Sequence, residues 1–308
     1  MIEKLSTVGM SKEEWREHRT HSIGGSDAST VLGLNPYKSK YALWAEKSGL
    51  MEPEDISQKE AVRLGTDLED YVAKRFTEAT GKKVRRLNAI VTETVYPWAH
   101  ANVDRMIVGE DAGLECKTTS ALNLRHFKNG EYPANYYCQC VHYMAITGAR
   151  KWYLAVLILG QDFRVFEIER DEEEIAALMD AEREFWRRVQ DNDPPAVDGS
   201  ESAGEALSAV YPGGDEDEAD LSDLEALFTE WTTVTETKKT LEAREDEIKQ
   251  QIQSVMQNHN KGACGDYRVS WAPQSRQTFD WKRCVADHDD IDPNGYLKTT
   301  ESRPFKIT

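Results

Sequence analysis

Trp152–Leu159 is an almost unbroken apolar run closed by Gly160, and it constrains the fold of this chain more than any other segment. A membrane span needs about 20 apolar residues, so this run is too short to be one. Its length suits a strand covered on both faces, and such a strand requires helices on both sides of a sheet. The flanking pattern supplies them. Asn135–Thr147 predicts a helix stopped by Gly148, and Glu172–Gln190 an amphipathic helix after a further strand at Phe163–Ile168. Upstream, Leu68, Val72 and Phe76 recur at i, i+4 and i+8 within Gln58–Thr80, a helix ended by Gly81. The period then shortens. Val84–Leu87, Ala89–Thr94, Ala101–Val108 and Leu114–Thr118 predict strands, the last two joined across Gly109–Gly113. Ser11–Thr20, a segment after Gly24-Gly25 capped by Ser26 or Asp27, and Tyr41–Lys47 predict short helices near the start. The expected class is therefore α/β of the α+β kind.

With 308 residues, 39% of them hydrophobic, the chain can bury a sizeable core, and two domains are the natural expectation. Residues 191–220 hold three prolines, four glycines and the acidic run Asp215–Glu218, which predicts a linker. Beyond it, Leu221, Leu224, Phe228, Trp231, Val234, Leu241, Ile248, Ile252 and Val255 recur at spacings of three, four or seven. They predict a long helix over 221–260 with a coiled-coil-like seam, interrupted by Lys238 and Glu245. Residues 261–308 read as a small terminal module with a strand around Tyr267–Trp271, and 1–190 as the main domain.

The net charge of -17 would ordinarily argue against a polyanionic partner. The charge is not spread evenly. Residues 1–170 sum to 0, 171–200 to -7 and 201–308 to -10, so the first part of the chain remains free to bind an anion. No membrane-length apolar run is present, and Met1–Met10 lacks the basic and apolar regions of a signal peptide, so a cytoplasmic protein is expected. Five cysteines, an odd number without a CxxC pair, predict neither a disulfide framework nor a zinc site.

The chemistry gathers around Glu115-Cys116-Lys117. In a strand, Glu115 and Lys117 share one face and Cys116 points to the other. Acid-x-Lys occurs four times in the chain and carries little meaning alone. Only this copy has Asp104 upstream across a hairpin, close enough to share a divalent ion. The preceding helix offers Glu69, placed by Val72, Ala73 and Phe76 on the core-facing stripe, where an unpartnered carboxylate is costly and a metal would relieve it. After the sheet, Gln139 and Tyr143 lie at i, i+4 and can face the same site. Taken singly, each acid also fits an ordinary surface ion pair. Three oxygen-donor acids suit magnesium, or manganese, with Lys117 beside an attacking water.

These residues resemble the YqaJ-type viral recombinases, grouped with lambda exonuclease in the PD-(D/E)XK nuclease superfamily. The likeness runs from about His18 to Val189. It is carried by His21-Ser22-Ile23-Gly24-Gly25-Ser26-Asp27-Ala28, Leu32–Lys38, Gly65–Glu69, Asn102-Val103-Asp104, Leu114–Thr119 and Gln139 through Met144. The resemblance implies a restriction-endonuclease-like αβββαβ core with a central mixed sheet. It implies a magnesium-dependent exonuclease that degrades one strand of linear double-stranded DNA in the 5′-to-3′ direction, alongside a single-strand annealing protein in phage recombination. A trimeric ring is a further implication. By position, Glu69, Asp104, Glu115 and the backbone carbonyl of Cys116 would be metal ligands, with Lys117 and Gln139 completing the catalytic set. Arg19 and Ser26, seven apart, match a 5′-phosphate-binding pair. Asn102 stands where that branch has a phosphate-contacting serine, and Tyr143 joins this DNA-binding set. The start of the helix after Gly24-Gly25 would add backbone amides for the phosphate, and the basic cluster Lys82–Arg86 would either track the DNA backbone or solvate a strand edge. An endonuclease on the same fold and a non-catalytic acidic interaction protein are the competing readings.

Overall fold

In the computed structural model the residues described are 1–214, 217–287, 292–297 and 303–307. They form two compact units, Met1–Pro212 and Gly213–Thr308. Part of the expected acidic run, Asp215-Glu216, and parts of the expected terminal module lie outside the described residues.

The first unit begins with β1 (Ile2–Ser6), α1 (Lys12–Thr20), β2 (Ile23–Gly24), α2 (Gly25–Val31) and α3 (Lys40–Lys47). There follow α4 (Glu60–Thr80), β3 (Val84–Arg85), β4 (Ala89–Glu93), β5 (Ala99–Asn102), β6 (Arg105–Ile107) and β7 (Ala112–Thr119). The unit closes with α5 (Ala134–Thr147), β8 (Lys151–Ile158), β9 (Asp162–Glu169), α6 (Glu172–Gln190) and α7 (Glu201–Val210). The strands make two mixed sheets, ordered β1-β4-β5-β2 and β3-β6-β7-β8-β9. β7 and β8 run parallel, with α5 as the crossover that parallel strands require.

β8 is covered on both faces. Trp152, Leu154, Val156 and Ile158 pack with Met144 and Ile146 of α5, while Tyr153 and Ala155 pack with Val72 and Phe76 of α4. β7 inherits the same division, so Ala112 and Leu114 join the α4 side and Glu115 and Lys117 point the other way.

Three expectations change. The single strand predicted over Ala101–Val108 is two strands that break at Val103-Asp104 and serve different sheets: β5 pairs with β4, and β6 with β7. At the break the Asp104 carboxylate accepts the Cys116 amide at 2.8 Å, which ends the β6–β7 ladder. Secondly, the segment expected as a linker contains α7. Ser200 caps it, and its Ala206 is buried with Tyr41, Leu43 and Trp44 of α3. Proline and glycine therefore mark the ends of a docked helix, and the compact unit extends to Pro212. Thirdly, the N-cap of α2 is Gly24 rather than Ser26 or Asp27, both of which lie inside the helix. Gly25 is required because a Cβ there would lie 2.5 Å from the Tyr143 ring.

In the second unit, α8 (Glu225–Met256) is the expected long helix, slightly shorter at both ends, followed by the hairpin β10 (Lys261–Cys264) and β11 (Tyr267–Ser270) and by α9 (Trp281–Asp287). The expected seam residues Phe228, Trp231, Val234, Leu241, Ile248, Ile252 and Val255 are exposed. All five cysteines are free, and no helix among the described residues is long and apolar enough to cross a membrane.

Candidate active site

The candidate catalytic, metal-ligating and phosphate-binding residues all line one cleft of about 490 Å³: Arg19, Ser26, Glu69, Asn102, Asp104, Glu115, Cys116, Lys117, Gln139 and Tyr143. β7 delivers Glu115 and Lys117 to the same side, and the Lys117 Nζ lies 2.6 Å from Glu115 Oε1. That ammonium also donates to Gln139 Oε1 at 2.9 Å, and Gln139 Nε2 donates to the Tyr143 hydroxyl at 2.8 Å. The i, i+4 spacing on α5 thus continues the chain of contacts that the strand begins.

The electrostatics follow from crowding acids in a place with little water. Glu115 is 2% exposed, and its Oε2 is buried without a hydrogen-bond partner. Burial raises the Glu115 pKa above the usual carboxylate range, and Lys117 only partly offsets this. Burial and the neighbouring Glu115 likewise raise Asp104 well above its ordinary value. Lys117 is partly buried, which alone would lower its pKa, but Glu115 and Asp104 together hold the ammonium charged. The Cys116 thiol is pushed strongly upward by burial and by the same acids, so it stays protonated.

Glu69 reaches the cleft but is not brought into the pair made by Asp104 and Glu115. Arg105, 4% exposed, donates to Glu69 Oε1 at 2.5 Å and to the Asp104 carbonyl at 2.6 Å, and also pairs with Asp70. The buried-acid argument for Glu69 therefore has an answer inside the protein, since a guanidinium supplies its counter-charge. Among the described residues no group of three or more His, Cys, Asp or Glu side chains is arranged to hold a metal ion. The donors brought closest to such an arrangement are Asp104 and the partnerless oxygen of Glu115.

Also in the cleft lining, the Arg19 Nη2 donates to Ser26 Oγ at 3.1 Å, and its guanidinium lies 4.7 Å from the Trp15 ring centroid. Asn102, the last residue of β5, lines the same cleft. Of the basic cluster, Lys82 is engaged by Glu110 and Arg86 by Asp70.

Sequence reasoning missed three participants. Trp15 sits one helical turn before Arg19, a spacing that could have found it. Arg105 directly follows Asp104, yet its partners on α4 are distant in sequence. His100 also lines the cleft, with its Nδ1 2.7 Å from the Ser22 hydroxyl, and nothing in its local pattern distinguishes it.

The two mixed sheets flanked by helices, with Glu115 and Lys117 on β7 and Asp104 between β5 and β6, make a mixed α/β fold that solved exonucleases share. An alkaline exonuclease from Laribacter hongkongensis, LHK-Exo, superposes with a TM-score of 0.50 at 19% identity, covering 59% of this chain and 94% of that one. Its complex with dAMP matches equally well. The YqaJ-like viral recombinase domain matches residues 14–150. The Bacillus subtilis protein YqaJ is 42% identical over 304 residues, 96% of this chain and 93% of that protein, and the chain belongs to this YqaJ family.

Proposed function

We propose that the protein is a metal-dependent deoxyribonuclease that degrades one strand of linear double-stranded DNA from a 5′ end. The observation that carries this reading is the single cleft. Its lining holds both a partly buried Asp–Glu–Lys–Gln constellation and an Arg–Ser pair. Hydrolysis needs positive charge and a held water at one phosphodiester, and end recognition needs a cation with donors a short distance away.

Asp104 and Glu115 fit a divalent cation. Both are hard oxygen donors, both are pushed toward protonation by burial, and Glu115 Oε2 is an unused acceptor. They would hold magnesium or manganese, with Glu69 and the Cys116 carbonyl as the remaining protein ligands. When bound, the ion supplies Lewis-acid charge to the scissile phosphodiester. Lys117, charged and anchored to Glu115 and Gln139, donates to the attacking water or to the developing anion rather than acting as a base. Tyr143 holds Gln139, and through it the Lys117 ammonium, in place. Arg19 and Ser26 take the terminal phosphate through charge-assisted hydrogen bonds, with Asn102 as an amide donor.

A role in recombination beside a single-strand annealing protein, and a homo-oligomeric assembly such as a trimeric ring, belong to the same proposal. The exposed apolar line of α8 supports an association surface.

The test is digestion of linear duplex labelled at either end, carrying a 5′-phosphate or a 5′-hydroxyl, beside a closed circle. The expected result is loss of the 5′-terminal label first, preference for the phosphate and no cutting of the circle. Cutting of the circle would favour an endonuclease. Glu115→Gln is expected to abolish cleavage while the fold persists; wild-type digestion by that variant would overturn the site.

A further inference from the structure

Lys47 and Asp27 bind the backbone of the segments that carry Arg19 and Ser26 and are unused by the chemistry above. They are nearly sealed from water, with side-chain exposures of 7% and 11%, and the ammonium sits 2.9 Å from Asp27 Oδ2. The remaining donors of Lys47 go to two backbone carbonyls, Arg19 O at 2.6 Å and Ser22 O at 2.8 Å. The first belongs to the last turn of α1, where carbonyls lack helical partners and the helix dipole favours a cation. Asp27 also accepts the Gly24 amide at 3.1 Å, which pins the backbone leading into Ser26.

One ion pair therefore clamps three segments: the end of α1 that carries Arg19, the β2–α2 junction that carries Ser26, and the end of α3. Its geometry leaves no donor of Lys47 facing the cleft. Replacing a buried ion pair by apolar or neutral groups of similar volume is often neutral or stabilising, so stability alone gives little reason for this one. What the pair does achieve is a defined separation and orientation of Arg19 and Ser26, whose side chains meet at 3.1 Å. Two-point recognition of a phosphate depends on that orientation, because charge-assisted bonds reward alignment as well as charge.

We infer that Lys47 and Asp27 are positioning residues that set the protein's discrimination for a 5′-phosphorylated DNA end, acting through Arg19 and Ser26 without touching the DNA. This inference rests on the proposed 5′-phosphate role of those two residues.

The experiment measures KM and kcat on linear duplexes ending in 5′-phosphate or 5′-hydroxyl, for wild type, the neutral pair Asp27→Asn with Lys47→Met, Arg19→Ala, and all three substitutions together. Lys47→Met alone would strand a buried carboxylate, so the neutral pair is the informative variant, and its thermal transition reports that it folds. Loss of one well-aligned charge-assisted contact corresponds to about tenfold in affinity. The neutral pair is expected to raise KM for phosphorylated ends by about that factor, with a much smaller change in KM for hydroxyl ends and in kcat. In the Arg19→Ala background the neutral pair should add little, because its effect passes through Arg19. Equal loss on both kinds of end, or a full further loss in the Arg19→Ala background, would mean a general structural role and overturn the inference. A folded neutral pair that keeps wild-type discrimination would overturn it as well. Wild type that does not distinguish the two ends would instead bring down the proposed phosphate site, and the inference with it.

Discussion

His100 and His142 are both buried, and their pKa values are shifted in opposite directions. Burial, reinforced by the positive charges of His142 and Lys47, pushes His100 down to about 3, so it is neutral in the folded protein. His142 has an acceptor at each nitrogen, Glu182 Oε1 at 2.8 Å and the His100 carbonyl at 2.9 Å. Burial alone would lower its pKa, but Glu182 outweighs that and raises it. The linkage signs differ accordingly. For His100 the unfolded chain binds the extra proton, so stability falls as pH drops from the unfolded value near 6.5 toward the folded one. At pH 5 the loss is about 2 kcal/mol. For His142 the stabilisation is fully present below the unfolded pKa and is lost as pH rises through the raised folded value. Urea unfolding at pH 7 and pH 5 should therefore show a loss on acidification that shrinks by about 2 kcal/mol in His100→Asn. His142→Gln should instead flatten the alkaline side while lowering stability throughout, because Glu182 is left buried and alone.

Among the elements, the helices α4, α5 and α6 and the strands β8 and β9 were legible because burial on a fixed side imposes a strong period. Glu172–Gln190 matches α6 at both ends, where Asp171 caps the helix through the Glu173 and Glu174 amides. β1 was not legible: its five residues are all exposed, and only pairing with β4 makes them a strand. The break between β5 and β6 was hidden for a related reason, since the alternation runs through it and only the choice of partner strands divides it. The packing around β8 carries a direct prediction. Leu154→Ala, at a fully buried position, should cost about 2–5 kcal/mol in urea unfolding. At the α2–α5 contact, Gly25→Ala forces a Cβ to within 2.5 Å of the Tyr143 ring. It should cost about 1–3 kcal/mol, much of it recovered when Tyr143 is replaced by Leu. An additive loss in the double variant would show that the clash is not the cause.

For the whole molecule, the placement of α7 decides where the catalytic unit ends. A chain cut at Gln190, the boundary suggested by proline and glycine content, leaves Tyr41, Leu43 and Trp44 without the cover of Ala206, Leu207 and Val210. A chain cut at Pro212 keeps it. Residues 1–212 should unfold cooperatively with a higher midpoint than residues 1–190, as thermal melts would read; equal midpoints would mean that α7 contributes nothing. The acidic excess also takes a different meaning at this scale. Its first part, in 171–200, belongs to α6 and to the chain that leads into a docked helix, not to a detached tail.

The amino-acid sequence by itself determined the layered α/β class, the faces of β7 and β8, and the set of polar residues that would meet. Period and spacing are local properties and account for the class, the faces, the acids, Lys117, Gln139 and Tyr143, whereas Arg19, Ser26 and Asn102 entered through the family resemblance. Only the tertiary structure decided that Glu69 is held by Arg105, that Lys47 clamps the ends of α1 and α2 through Asp27, and that α7 belongs to the first unit. Those contacts join residues far apart in the chain. A charge's partner is chosen by whichever opposite charge folding brings to the same buried place, and no local pattern records that choice.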